Sequence, residues 1–184
     1  NQVQLFAALP PITQVNGRLL ITENSINATE LSGRAFGGPL KAQIKSTGDR
    51  IAVQVGGNAN VVDVSRHFGW PLLNHLTGSA PWKADVAIRK RNARIVIDSD
   101  LVGVTSPLPE PLNKNASTSL PLRIERTTLD SGRDQYRINL GKIGQGVLLM
   151  RQDVLERGVF AVGATDLRLP DAGLAIRAIA PRVA

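Results

Sequence analysis

Few residues in this chain have the chemistry to react. Its only histidines are His67 and His75, eight positions apart. On one continuous helix they would point about 80° apart, and Pro71 between them breaks that continuity. The spacing makes a poor zinc pair, and surface or capping histidines are the ordinary reading. Asp98 and Asp100 share one face of a strand, where two carboxylates could hold a divalent cation or divide acid and base work. The basic stretch just before them makes cross-strand ion pairs with Arg89 and Arg91 the better expectation. The string "GKIGQG", Gly141 to Gly146, imitates a phosphate loop. It lacks the Gly-Lys-Ser/Thr ending and a following helix, so it reads as a turn or bulge where glycine permits positive φ. With no cysteine in the chain, disulfides and thiolate metal sites are excluded. The sequence names no catalytic residue, no metal site and no cofactor.

Composition narrows the remaining classes. The formal charge is +7, which favours anionic partners. The charge is dispersed, and its one dense run is "RKRNAR": Arg89, Lys90, Arg91 and Arg94. Aromatic residues make up only 4% of the chain. Base stacking needs aromatic platforms, and no reader motif is present, so nucleic acid is not the expected partner. The apolar content is aliphatic, which suits strand packing or contact with an acyl chain. The longest apolar stretch falls well short of the roughly 20 residues that span a membrane. The chain starts at Asn1 rather than Met, which reads as a fragment of a longer protein.

The elements that would position any site follow from period-two alternation. Ile51, Val53 and Val55 share a face. So do Trp82, Ala84, Val86 and Ile88; Ile95, Ile97 and Leu101; Leu122 and Ile124; Tyr136, Ile138 and Leu140. Val147 with Leu149, Val159 with Ala161, and Leu174 with Ile176 and Ala178 continue the pattern. Turn residues at "TGDR", "RKRNAR" and "DSGRD" separate these runs, and such short connections favour antiparallel neighbours. The spacing predicts a mainly β chain. It would have about ten antiparallel strands in a curved, one-sided sheet, a groove or open barrel-like form. Residues 1–184 form one β-rich segment. A helical insert over about 61–77 breaks the alternation: Val61, Val64 and Phe68 stand at helical spacing, Pro71 opens a second short helix, and Gly78 stops it. The aliphatic face is either the dry core of a closed sandwich or a groove for something apolar.

A loop over about 105–120 stands apart. With Pro107, Pro109, Pro111 and the following Pro121, it cannot extend the sheet, because proline lacks a ladder donor. It is expected to cross the sheet edge or the groove mouth, blunting the edge, gating access or serving as a rigid crossover. The surrounding string carries Leu76, Gly78 and Trp82. Next come Ser99-Asp100-Leu101 with Gly103, then Leu108-Pro109 with Pro111, Leu112 and Lys114, and finally Leu120 to Arg123. It resembles a recurring region of YhdP-like, AsmA-related envelope proteins of Gram-negative bacteria. The earlier Gly37-Gly38-Pro39, entering a strand, is similar in style.

The resemblance implies a periplasmic segment of a large protein held in the inner membrane by an N-terminal helix that is not in this chain. It implies repeated antiparallel strands forming a β-groove that carries phospholipids between inner and outer membranes, without enzymatic chemistry, in support of outer-membrane integrity. The apolar floor would be Ile51, Val53, Val55, Val86, Ile88, Ile95 and Ile97. Headgroups would ride at a rim near Arg89, Lys90, Arg91 and Arg94. Partners would be phospholipids, the membrane through the missing anchor, and other envelope proteins. The competing expectation is a closed β-sandwich, a scaffold or protein-interaction module of the envelope with no ligand.

Overall fold

Alternating runs become strands, and the turn residues between them decide where each strand reverses. The computed structural model of the chain describes residues 2–3, 11–90, 92–129, 132–152, 154–163 and 166–178. The strands are β1 (Gln2–Val3), β2 (Ile12–Gly17), β3 (Leu20–Thr22), β4 (Ser25–Ala35), β5 (Gly38–Thr47), β6 (Arg50–Asn60), β7 (Thr77–Arg89), β8 (Asn92–Ser99), β9 (Val104–Thr105), β10 (Leu122–Thr128), β11 (Arg133–Leu140), β12 (Gly144–Arg151), β13 (Val154–Val162) and β14 (Gly173–Ala178). Helix α1 (Val61–Phe68) and a 3-10 turn (Pro71–His75) lie between β6 and β7.

Neighbouring strands run β1-β2-β4-β5-β6-β7-β8-β10-β11-β12-β13-β14, with β3 paired to β4 and β9 to β7. The path does not close on itself, so this is one open sheet rather than a barrel. No second sheet packs across it among the described residues, so the closed sandwich is not what forms. Every pair on the path is antiparallel except β13 with β14, which is parallel.

Burial is correspondingly thin. Among the described residues, Val159 is the only side chain larger than alanine that is fully buried. The chain exposes 12078 Å², whereas a compact globular protein of this mass exposes roughly 8,600 Å². Three small clusters replace one core. Ala35, Leu40 and Ala42 form the first, Val53, Val86 and Ile95 the second, and Val61, Ala80 and Val104 the third.

The helical insert has clear stops. The Asn60 side chain accepts from the Val62 amide at 2.9 Å, which satisfies one donor of the first turn. Gly69, at φ 66°, ends α1 with its N–H on the Ser65 carbonyl, a conformation glycine adopts without a Cβ penalty. The predicted stop at Gly78 is misplaced. The 3-10 turn ends at His75, and Gly78 already belongs to β7. A Cβ at Gly78 would meet the Gly103 carbonyl, so its glycine serves the close approach of β9.

The predicted hairpin turns fall where expected: β5 to β6 at Gly48 and Asp49, and β7 to β8 at Lys90. Arg91, Asp130 and Ser131 lie outside the described residues. The proline loop does not blunt a sheet edge. It leaves β8 and returns to β10, which pairs with β8 in mid-sheet. Nor is it simply extended. Gly103 N–H bonds the Ala116 carbonyl, Ser106 and Lys114 exchange two backbone bonds, and Leu120 N–H bonds the Asp100 carbonyl. The Glu110–Pro111 peptide is cis.

The sheet is one-sided through most of its width and gains a second covered face at β12 and β13. Val147, Leu149, Val159 and Ala161 point away from the face that carries Ile138 and Phe160. The parallel β13–β14 pair requires a crossover, and its described residues 166–172 lie on that side. Leu167 reaches the cleft that Val147, Arg137 and Gln145 also line. Asp166 fastens it, accepting from Arg168 Nε at 3.1 Å and pairing with Arg177 of β14 at 3.3 Å.

Two outcomes follow. Val159→Ala should lower the unfolding free energy by about 1–3 kcal/mol, read from the urea midpoint. Ile176→Ala, at a side chain 72% exposed, should change it by no more than about 0.5 kcal/mol. The hydrogen bonds from Arg168 hold the Asp166 carboxyl at about 2, below its ordinary 3.8. A depressed carboxylate stabilises the fold above its unfolded value and loses that contribution as pH falls through its folded value. A carboxyl-carbon NMR titration should therefore place the Asp166 midpoint near 2, with the crossover fastening intact at pH 4.

Candidate functional site: a continuous apolar face

Because side chains alternate, cross-strand register decides which residues meet. On β6, β7 and β8, Ile51 faces Ile88, Val53 faces Val86, and Val86 faces Ile95. Val53, Val86 and Ile95 are buried against one another, with Ile44, Ile51, Ile88 and Ile97 packed around them. Six of the seven residues expected to form an apolar floor thus come together in one cluster. The seventh, Val55, lies on the same face and packs against the neighbouring cluster of Leu40 and Ala42.

The face extends beyond those strands. One row runs Ala42, Val55, Ala84, Ile97, Ile124, Ile138, Gly146, Phe160, Ile176, from β5 to β14 without a polar residue. The contributions of Ile124, Ile138 and Phe160 were visible as alternation, but their place in the floor depends on hairpin register. Phe160 fits because Gly146 has no side chain: a Cβ there would come within 2.7 Å of its ring.

At the strand ends near α1, an aromatic group closes the face. Trp82, one step along β7 from Ala84, meets the Phe36 ring edge-on at 6.5 Å. Phe36 stacks with Phe68 at 6.0 Å and lies edge-on to His67 at 5.8 Å. His67 is thus a member of an aromatic group, and His75 is exposed in the 3-10 turn. No cluster of three or more potential metal ligands occurs among the described residues, and none of their helices is long and apolar enough to cross a membrane.

At the opposite strand ends lie tight hairpins. Lys90 sits in the β7–β8 turn at φ 56°, and Arg89 pairs with Asp49 at 3.6 Å. Arg94 projects from the other face of the sheet. Its guanidinium donates to Glu125 at 2.8 Å, and this bond lowers the Glu125 carboxyl and raises the Arg94 guanidinium. Arg91 lies outside the described residues.

Asp98 and Asp100 are both committed, though not as expected. Asp98 accepts two bonds from Arg123 of β10, at 2.8 and 2.9 Å, rather than pairing across its own hairpin. The reason is topological: the proline loop brings β10 back beside β8. Asp100 accepts from the Val102 amide at 3.0 Å, closing a turn. A cleft of about 780 Å³ opens beside them.

Lys114 was singled out only within a motif, and the structure shows its role. It is buried, and its ammonium donates to the Val104 carbonyl at 2.9 Å and the Asn115 carbonyl at 3.0 Å. Desolvation lowers its pKa, and the charge of Asp100 partly opposes this. The ammonium thus fastens the loop to β9 from inside.

Comparison with known proteins adds one finding. The family model described as YhdP protein matches residues 1–184. No curated protein and no solved structure matches the chain.

Lys114→Ala would leave two carbonyls without their donor, at a cost of about 1–3 kcal/mol. Hydrogen exchange at the Gly103, Ser106 and Leu120 amides should accelerate. The amides of Val53 and Val86, remote from the loop, should keep their protection.

Proposed function

The chain belongs to the YhdP family, AsmA-like envelope proteins of Gram-negative bacteria, and from that premise we propose that it is a non-enzymatic lipid-transfer module. Its apolar face would carry phospholipid acyl chains across the periplasm, as one segment of a protein anchored in the inner membrane, and so support the integrity of the outer membrane. The observation that carries this reading is the unbroken row from Ala42 to Ile176. A continuous aliphatic track offers roughly 0.8 kcal/mol per buried CH₂ at any point along it, and it favours no single resting place. The strand path stays open at both ends, which is compatible with an occupant entering along this face. Headgroups would keep to the wet hairpin rim, near Arg89 and Lys90, because the aromatic group around Trp82 and Phe36 occupies the other end of the strands. Other envelope proteins would meet the segment through its neighbours in the parent protein.

Native mass spectrometry of the chain purified from a bacterial host tests this, with lipid extraction in parallel. Phospholipid should accompany the wild type. Val55→Asp combined with Ile97→Asp should reduce bound lipid at least about tenfold, since burying either carboxylate under an acyl chain carries a large desolvation penalty. Circular dichroism should show the sheet retained. A clean apo mass for the wild type, even after incubation with vesicles, would sink the proposal.

A further inference from the structure

The inner face of β5 to β14 carries only two charged residues among those described, and they form a pair. Arg126 of β10 donates to Asp134 of β11 at 2.6 Å, with the side chains 21% and 16% exposed. The Thr128 hydroxyl donates to the same carboxylate at 2.9 Å. The Arg126 guanidinium lies 5.8 Å from the centre of the Tyr136 ring. The pair stands beside the apolar row. Arg126 follows Ile124 by two residues, Tyr136 precedes Ile138 by two, and two residues of strand span about 7 Å.

Stability alone does not account for this group. A partly buried ion pair loses solvation, and apolar residues of similar volume commonly serve as well or better. Every other row of the face shows that the sheet accepts such residues. The outer face, where Asp98–Arg123 and Arg94–Glu125 sit, was open to charge.

We propose that Arg126, Asp134 and Tyr136 form a headgroup station for a zwitterionic phospholipid, one bearing a phosphate and a primary ammonium. This rests on the lipid-transfer reading and names the lipid class. The guanidinium fork suits a phosphate bidentately. The carboxylate takes the ammonium, and the Tyr136 ring offers it a cation–π face. The acyl chains then lie along the Ile124–Ile138 row about 7 Å away. The charges match: the phosphate faces the Arg126 guanidinium and the ammonium faces the Asp134 carboxylate. An anionic headgroup without an ammonium would engage Arg126 and leave the Asp134 carboxylate without a cation, which carries a penalty. The station therefore selects against it.

The test incubates the whole chain with vesicles of equimolar phosphatidylethanolamine and phosphatidylglycerol carrying identical acyl chains. The protein is re-isolated, and its bound lipid is quantified by mass spectrometry. Wild type should retain phosphatidylethanolamine in about tenfold preference, a difference of about 1.4 kcal/mol. Asp134→Asn should shift the ratio toward phosphatidylglycerol. Arg126→Met combined with Asp134→Leu removes both members of the ion pair. It should fold, and the lipid it still holds should return to the vesicle ratio. Lipid binding with a ratio that none of these variants moves would overturn the station and leave the lipid-transfer reading standing. Failure of the wild type to bind either lipid would overturn both.

Discussion

Everything in this structure depends on parity. Side chains alternate strictly along each strand, so each hairpin must hand the chain to its neighbour in a register that keeps the apolar set on one side. From β5 to β12 this happens at each successive pairing. Ile44 meets Val53, Val53 meets Val86, Val86 meets Ile95, and the row beside them reaches Gly146. A slip of one residue at any turn would put every later floor residue on the outside. The turns are accordingly short and chemically specified, as at Gly48 and Lys90, both with positive φ. The long excursion between β8 and β10 is the exception. There the register is held by the pairing of β10 with β8, and the loop itself is pinned by the buried Lys114.

Much of this was legible in the residues, because alternation is a local signal. Ile51, Val53 and Val55, or Trp82 through Ile88, announce both a strand and its inward side without any tertiary knowledge. What escaped was set by distant partners. Asp98 reads as a partner for its own hairpin's arginines, and only the return of β10 places Arg123 next to it. Val147, Leu149, Val159 and Ala161 continue the alternation, yet the register puts them on the face opposite Ile138 and Phe160. A run of aliphatics does not say which of two faces it takes, so their side became visible only in the register. Gly78 looked like a helix stop because the residue it accommodates, Gly103, lies far along the chain. Arg126 and Asp134 were hidden for the opposite reason. A charge within an alternating run reads as solvent-facing, and only the register across β10 and β11 puts these two on the apolar side.

The two margins of the face differ in kind. One consists of tight turns rich in arginine and lysine, open to water. The other gathers the slower features of the chain: α1, the 3-10 turn and the folded proline loop. Phe36, Phe68 and Trp82 converge there although the chain is poor in aromatics. An apolar body on such a sheet is therefore bounded by rings on one side and by hydrated cations on the other. That asymmetry supports an amphipathic occupant, with its polar end toward the hairpins.

The open path of strands also has a mechanical meaning. Ladder hydrogen bonds lie perpendicular to the strands, so they point along the same direction as the apolar rows. Tension applied along the rows would load these bonds end-on, one ladder at a time, and the sheet would part like a zip rather than resist in shear. The proline loop alters this locally. By joining β7 through β9 and leading from β8 to β10, with an internal ammonium as its rivet, it spans several rungs at once. The middle of the sheet is thereby reinforced against stretching, while the strands at either end are free to yield first.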